Sequence, residues 1–219
     1  SDPWICVSCQ RAVYTAVGGG AAYAQTYQTP SCWLGWQPTI STSCRYELKV
    51  FIPVYAQCMP KSERAVYRIR HANGTSSRTV NQSNNAGNWV SLGTYRCNSG
   101  TYCRITLENY TGESSRVIDF DAARFILQVP DTPSRPTISN PDGDGDYTVD
   151  WPNAIGANDY VLQDEDNPSF SSPVTRYSGS SSQASVSGRP PGTWYYRVRA
   201  SNSSGNSDWS GSSSVTVKP

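Results

Sequence analysis

Few residues in this chain carry chemistry. His71 is the single histidine among 219 residues, and no nucleophile is spaced around it in a recognisable motif. A triad mechanism would need His71 as its only base; it reads instead as a polar residue at a strand end. Glycoside cleavage uses two carboxylates about 5 to 9.5 Å apart. The first 130 residues offer Asp2, Glu47, Glu63, Glu108, Glu113, Asp119 and Asp121. Of these, Asp119 and Asp121 share one face of a strand, and no catalytic pair stands out. A non-enzyme is expected, with no catalytic residue and no cofactor.

Metal and redox chemistry are weighed on the cysteines and one acidic run. Cys6-Val7-Ser8-Cys9 has zinc-knuckle spacing, but a site there would have to borrow Cys32, Cys44 or Cys58. A thioredoxin-like role lacks its βαβ context. All seven cysteines fall within the first 103 residues, which in a chain with strand patterning reads as a disulfide framework from an oxidising compartment. Cys97 and Cys103 flank the turn Asn98-Ser99-Gly100-Thr101-Tyr102 like the feet of a hairpin, which brings Cα atoms into bridging range. The odd count leaves one thiol unpaired, paired between chains, or paired upstream of Ser1. Asp142-Gly143-Asp144-Gly145-Asp146 starts like a calcium loop, yet Asn153 stands where the bidentate glutamate belongs. A turn between two strands is the plainer reading, and no metal site is expected.

Aromatic side chains are the remaining resource. Sugar C–H faces stack on Trp and Tyr rings while amides and carboxylates orient the hydroxyls. Trp36, Tyr46, Tyr67, Trp89, Tyr95 and Phe125 alternate with polar neighbours and are expected in a core. Tyr23, Tyr27, Trp33, Tyr55, Tyr102 and Tyr110 stand in apparent loops and are the candidate ligand-binding rings. Asn81 and Gln82 offer amides to a ligand or, equally, cross-strand hydrogen bonds. Near the C-terminus, Arg197 and Arg199 are expected opposite the core, stacked near Trp209 as a cation–π brace.

These residues need strands to position them. Charged residues make up only 16% of the chain and aromatics 11%, a mix suited to short packed strands and too aromatic for a disordered chain. Tyr46, Leu48, Val50 and Ile52 alternate with Glu47, Lys49 and Phe51. Tyr67 and Ile69 alternate with Arg68 and Arg70, and Trp89, Ser91 and Gly93 with Val90, Leu92 and Thr94. Ile105 and Leu107 follow, and residues 117–129 read as one long or bent strand. Further on, residues 147–151, 159–163, 194–200 and 214–218 pattern as strands, with turn signals every 8–12 residues. Val129-Pro130-Asp131-Thr132-Pro133-Ser134-Arg135-Pro136 is a stiff connector. Before it, residues 1–130 carry a net +5; after it, residues 131–219 carry −4. The whole chain is at +1, which supplies no field for nucleic acid, and no apolar run is long enough for a membrane helix.

Two resemblances add to this. The run Gly192-Thr193-Trp194-Tyr195-Tyr196-Arg197-Val198-Arg199-Ala200-Ser201-Asn202-Ser203-Ser204-Gly205 with Ser207-Asp208-Trp209-Ser210, the early Trp151, the Tyr160 strand and Phe170-Ser171-Ser172-Pro173 resemble bacterial fibronectin type III domains. The tyrosine-corner position of that fold falls on Trp194 or Tyr195. Residues 1–129 resemble the golvesin and xanthan-lyase C-terminal-like domain through Tyr46-Glu47-Leu48-Lys49-Val50-Phe51-Ile52-Pro53, Ala65-Val66-Tyr67-Arg68-Ile69-Arg70-His71, Val80-Asn81-Gln82, Gly87-Asn88-Trp89-Val90-Ser91-Leu92-Gly93-Thr94-Tyr95 and Asp121-Ala122-Ala123-Arg124-Phe125. The resemblance implies a buried Asp121 carboxylate accepting hydrogen bonds from backbone or arginine. With the strand patterning, the two resemblances together imply an all-β chain: a jelly-roll-like, carbohydrate-binding-type sandwich over 1–129, to which the cysteine pattern adds disulfides that depart from that family, then an immunoglobulin-like (fibronectin type III) sandwich over 133–219. The expected function is a non-catalytic extracellular bacterial module, secreted or at the cell surface. It would bind polysaccharide or glycan and use the fibronectin-like domain as spacer, with neither nucleic acid nor membrane insertion among its partners. The alternative is a self-associating subunit of an extracellular filament, sheath or adhesive layer; a weaker one is an accessory part of a larger secreted lyase or protease.

Overall fold

Alternation of apolar and polar residues settles most of the first unit. In a computed structural model of the chain, residues 12–14, 22–26, 33–54 and 59–219 are described. The described chain is all-β, and two compact units divide it, Ser1–Leu127 and Gln128–Pro219. The first contains β1 (Ala12–Tyr14), β2 (Ala22–Gln25), β3 (Trp33–Trp36), β4 (Cys44–Phe51), β5 (Ala65–His71), β6 (Gly74–Val80), β7 (Trp89–Cys97), β8 (Arg104–Glu108), β9 (Val117–Phe120) and β10 (Ala123–Leu127). One sheet runs β1-β3-β8-β5-β6, a second β10-β4-β7, and β2 pairs with β9. Most connections carry the chain from one sheet to the other, as in a jelly roll. Tyr46, Leu48 and Val50 of β4 point inward and meet Tyr67, Ile69, Ile105 and Leu107 in one buried cluster. Their partners Glu47, Lys49, Arg68 and Arg70 are left on the outer faces, because successive Cβ atoms alternate.

Three expectations need correction. Cys97 and Cys103 are bonded, with Cα atoms 5.5 Å apart, but they are not the feet of a hairpin. β7 pairs with β4 while β8 pairs with β3 and β5, so the disulfide closes a crossover between sheets. Spacing alone does not separate the two cases, since either brings two strand ends together. The crossover is pinned by Ile40 and Gly100, which exchange backbone hydrogen bonds of 2.8 Å each. Second, the alternation in β7 breaks: Leu92 and Tyr95 are both buried. The β4–β7 register slips between Leu48 and Lys49, and Gly93 sits at φ +113°; this is a bulge that re-aims the strand. Third, Trp89 is not in the core. It lies on the outer face, its ring 5.4 Å from Phe51 and capped at 3.9 Å by the Arg124 guanidinium. The 117–129 segment takes its bent form, changing sheets between β9 and β10.

The second unit contains β11 (Thr137–Ser139), β12 (Tyr147–Asp150), β13 (Asp159–Glu165), β14 (Val174–Gly179), β15 (Gln183–Val186), β16 (Gly192–Asn202), β17 (Gly205–Asn206) and β18 (Ser213–Val217). A β11-β12-β15 sheet accompanies a β14-β13-β16 sheet edged by β17 and β18, with Val149, Trp151, Leu162, Tyr196 and Val198 buried in the core. Between β17 and β18, Ser207 and Ser210 keep the ladder intact: their hydroxyls accept from the Ala200 and Val198 amides at 3.0 Å. The Asp142–Asp146 run is the turn between β11 and β12. Asp144 accepts from the Asp146 amide at 2.8 Å and Asp146 from the Gly188 amide at 2.7 Å, so these carboxylates hold the turn together.

The corner position belongs to Trp194, whose Nε1–H donates to the Pro190 carbonyl at 3.1 Å. Arg189 stacks on the same ring at 3.5 Å. Trp194→Phe keeps a ring under the guanidinium and loses only the N–H. It is expected to cost about 1 kcal/mol in urea unfolding; a midpoint unchanged from the parent would show that the corner bond carries no stability.

Candidate functional site

Because Tyr67, Ile69, Ile105 and Leu107 must face the core, β5 and β8 present Arg68, Arg70, Arg104, Thr106 and Glu108 outward. Strand pairing sets them in rows: Arg68 lies opposite Thr106 and Arg70 opposite Arg104, while Trp33 at the start of β3 lies opposite Glu108. Two adjoining grooves result. One, of about 260 Å³, is lined by Trp33, Arg70, Thr75, Arg104 and Thr106; the other, of about 270 Å³, by Arg64, Val66, Tyr110, Thr111 and Gly112. Arg68 and Glu108 border both, with Arg68 Nε 3.5 Å from Glu108 Oε1.

Three of the six rings expected to bind ligand therefore gather on or beside one sheet face. Trp33 is half-buried in the first groove, and Tyr110 is 43% exposed beside the second. Tyr102, 42% exposed in the crossover, lies under the Arg70 guanidinium at 3.9 Å. Tyr23 belongs to β2, opposite Asp119, and its side chain lies outside the described residues, as do Tyr27 and Tyr55 entirely. Sequence reasoning passed over the arginines, although Arg68 and Arg70 in alternation with Tyr67 and Ile69 already marked an outward row.

The other polar candidates are occupied by structure. Gln82 is fully buried; its Nε2 donates to Tyr67 Oη and the Asp119 carbonyl at 2.9 Å each, and its Oε1 accepts from the Asp119 amide at 2.8 Å. Burial pushes the Tyr67 hydroxyl well above the usual tyrosine range, against the Gln82 hydrogen bond and aided by Asp119. The buried carboxylate is Asp119, paired with Lys61, rather than Asp121. Asp121 stays partly exposed, its carboxyl pushed up by desolvation and by Asp119. The chain turns between sheets at Asp121, and its carbonyl accepts from Trp36 Nε1 at 2.9 Å. Burial raises the Glu113 carboxyl, but Ser62, the Glu63 amide, Thr111 and Arg116 outweigh it and hold the group below the usual range. His71 accepts from the Asn73 amide on Nδ1 at 3.3 Å, so its Nε2–H faces Ser76 Oγ at 2.9 Å; the ring locks the β5–β6 hairpin. In the second unit, Arg197 lies 4.3 Å from the Phe170 ring and 4.5 Å from Trp209, with Arg199 at 4.6 Å from Trp209, a ladder of stacked cations on the outer face.

The Golvesin C-terminal domain family model matches residues 8–127. No curated protein matches the chain. Among solved structures, the chain is similar to one described as "Structure of FN3tt mut", at 23% identity over 42% of this chain and 100% of that one, with a TM-score of 0.36. A human fibronectin type-III domain, from fibronectin type III domain containing protein 3, aligns at 22% identity over 42% of this chain and 89% of its own, TM-score 0.36. A Fn3-like protein from Clostridium thermocellum aligns at 19% identity over 42% and 93%, TM-score 0.34.

Proposed function

The chain belongs to the golvesin C-terminal domain family across residues 8–127, and from that premise we propose that it is a non-catalytic extracellular module whose first unit binds polysaccharide, with the second as spacer. The observation that carries the reading is the pair of adjoining grooves, Trp33 lining one and Tyr110 the other, that meet at Arg68 and Glu108. Exposed ring faces beside guanidinium, hydroxyl and carboxylate groups are what a sugar chain needs: stacking for its C–H faces and hydrogen bonds for its hydroxyls. The Cys97–Cys103 bridge supports an oxidising location. Shallow grooves of this size favour modest affinity per site, so avidity on a repeating polymer supplies the rest.

The test is retention of the full chain in native gels cast with a panel of soluble polysaccharides. Trp33→Ala and Tyr110→Ala are each expected to weaken retention about tenfold while leaving the melting temperature within a few degrees. Retention on no polysaccharide, or undiminished retention in the double variant, would overturn the reading.

A further inference from the structure

Four guanidinium groups, Arg64, Arg68, Arg70 and Arg104, face a single carboxylate, Glu108, along the two grooves. Arg68 is half exposed and holds Glu108 only at 3.5 Å. Arg70 stacks on Tyr102 and lies directly opposite Arg104 across the β5–β8 pair. Among the described residues, neither Arg70 nor Arg104 has a carboxylate partner. Like charges in directly opposed positions oppose pairing, and an anionic group bound at this face would relieve that repulsion.

We infer that the polymer bound by this face is anionic, a polysaccharide bearing carboxylate or sulfate groups at regular intervals. The arginine fork matches either group in a bidentate fashion. Arg68 and Arg70 are two residues apart on β5, about 6.7 Å along the strand, with Arg104 one strand across from Arg70. That places a row of cations at a spacing on the scale of a saccharide unit, beside the ring of Trp33. A repeating uronate or sulfated sugar would meet one guanidinium after another while its ring face rests on the tryptophan. The inference rests on the polysaccharide-binding reading and names the charge of its ligand. Nucleic acid would need an electropositive surface of larger extent, and the chain as a whole carries only +1.

The full chain is titrated with four probes: polygalacturonate, dextran sulfate, neutral dextran and a single-stranded thymidine oligomer. Binding to polygalacturonate or dextran sulfate is expected to exceed binding to neutral dextran about tenfold or more; the stronger of the two identifies the anionic group. Arg68→Gln/Arg104→Gln is expected to lose that advantage, whereas Trp33→Ala weakens acidic and neutral polymers alike. Should the double variant fold poorly, the parent chain still decides the question. Its retention on the acidic polymer must fall steeply as salt rises from roughly 0.05 to 1 M, as surface charge attraction does. Equal binding to neutral dextran, or salt-insensitive retention, overturns the anionic inference and leaves the polysaccharide reading standing. Retention on no polysaccharide overturns both, and preference for the thymidine oligomer overturns both in favour of nucleic acid.

Discussion

Asp164→Ala is expected to destabilise the second unit by about 3–5 kcal/mol, enough to remove its urea-unfolding baseline. Asp164 sits in β13 with its side chain 0% exposed; Arg176 Nε lies 2.8 Å from Oδ1, and Arg189 pairs with Oδ2. Arg189 is itself nearly buried, roofed by the Trp194 ring. Beside them, Tyr147 and Tyr196 join hydroxyls at 2.8 Å. Burial pushes the Tyr196 hydroxyl far above its usual range, with Tyr147 adding to it and Arg189 opposing. Removing the carboxylate leaves the Arg189 charge in a dry site with no counter-ion, and that uncompensated charge, rather than the lost attraction, sets the size of the effect. Asp164→Leu combined with Arg189→Met should recover most of the loss, because an apolar replacement of a whole buried pair is neutral or better. A single variant within about 1 kcal/mol of the parent would show that water reaches the pair.

Gln82→Leu is expected to cost the first unit about 2–4 kcal/mol in the same measurement. The amide occupies a site with no solvent, and all three of its hydrogen bonds go to buried partners: Tyr67 Oη, the Asp119 carbonyl and the Asp119 amide. Leucine fills the volume but removes all three of these hydrogen bonds, and a buried group left unsatisfied costs about 1–3 kcal/mol. Gln82→Glu adds a test of sign. A carboxyl there can satisfy the Asp119 carbonyl only when protonated, so its folded pKa is raised above the unfolded value near 4.3. The variant is then most stable below that unfolded value and loses stability as pH rises through the folded one. A stability independent of pH in Gln82→Glu, or a neutral Gln82→Leu, would mean that water enters the network.

Both predictions turn on residues whose importance depends on what surrounds them, which shows where sequence reading stops. Alternation told Tyr46, Leu48 and Val50 from Glu47 and Lys49, and Tyr67 and Ile69 from Arg68 and Arg70, because the two-residue period of a strand is set by covalent geometry alone. The disulfide partners Cys97 and Cys103 were legible for a similar reason: a short separation keeps two strand ends close whichever way the chain turns. The sheets those ends enter were not legible. β7 joins β4 and β8 joins β5, and that choice is made by contacts between residues far apart in the chain.

The same holds for the order of strands. In the second unit the first strand, β11, pairs with β12, and β17 and β18 flank β16. In the first unit the last strand, β10, pairs with β4, and the early β3 pairs with β8. The inner orders match, β6-β5-β8 against β14-β13-β16 and β4-β7 against β12-β15; the terminal strands are exchanged. A terminal strand can close either edge of a sandwich with the same inward period, so only the fit of its side chains against the opposite sheet selects one.

For the candidate site, residue types pointed to Trp33, Tyr102 and Tyr110 as rings available to a ligand, and position in the chain separated them by up to 77 residues. Their gathering around Arg68, Arg70 and Arg104 follows from β3-β8-β5 pairing. Gln82 shows the reverse: a polar side chain suited to a ligand is drawn into the core, where it hydrogen-bonds the Asp119 backbone and the Tyr67 hydroxyl. Local sequence determines which side of a strand a residue takes; the free energy of packing distant strands decides which residues become neighbours, and that was available only from the folded chain.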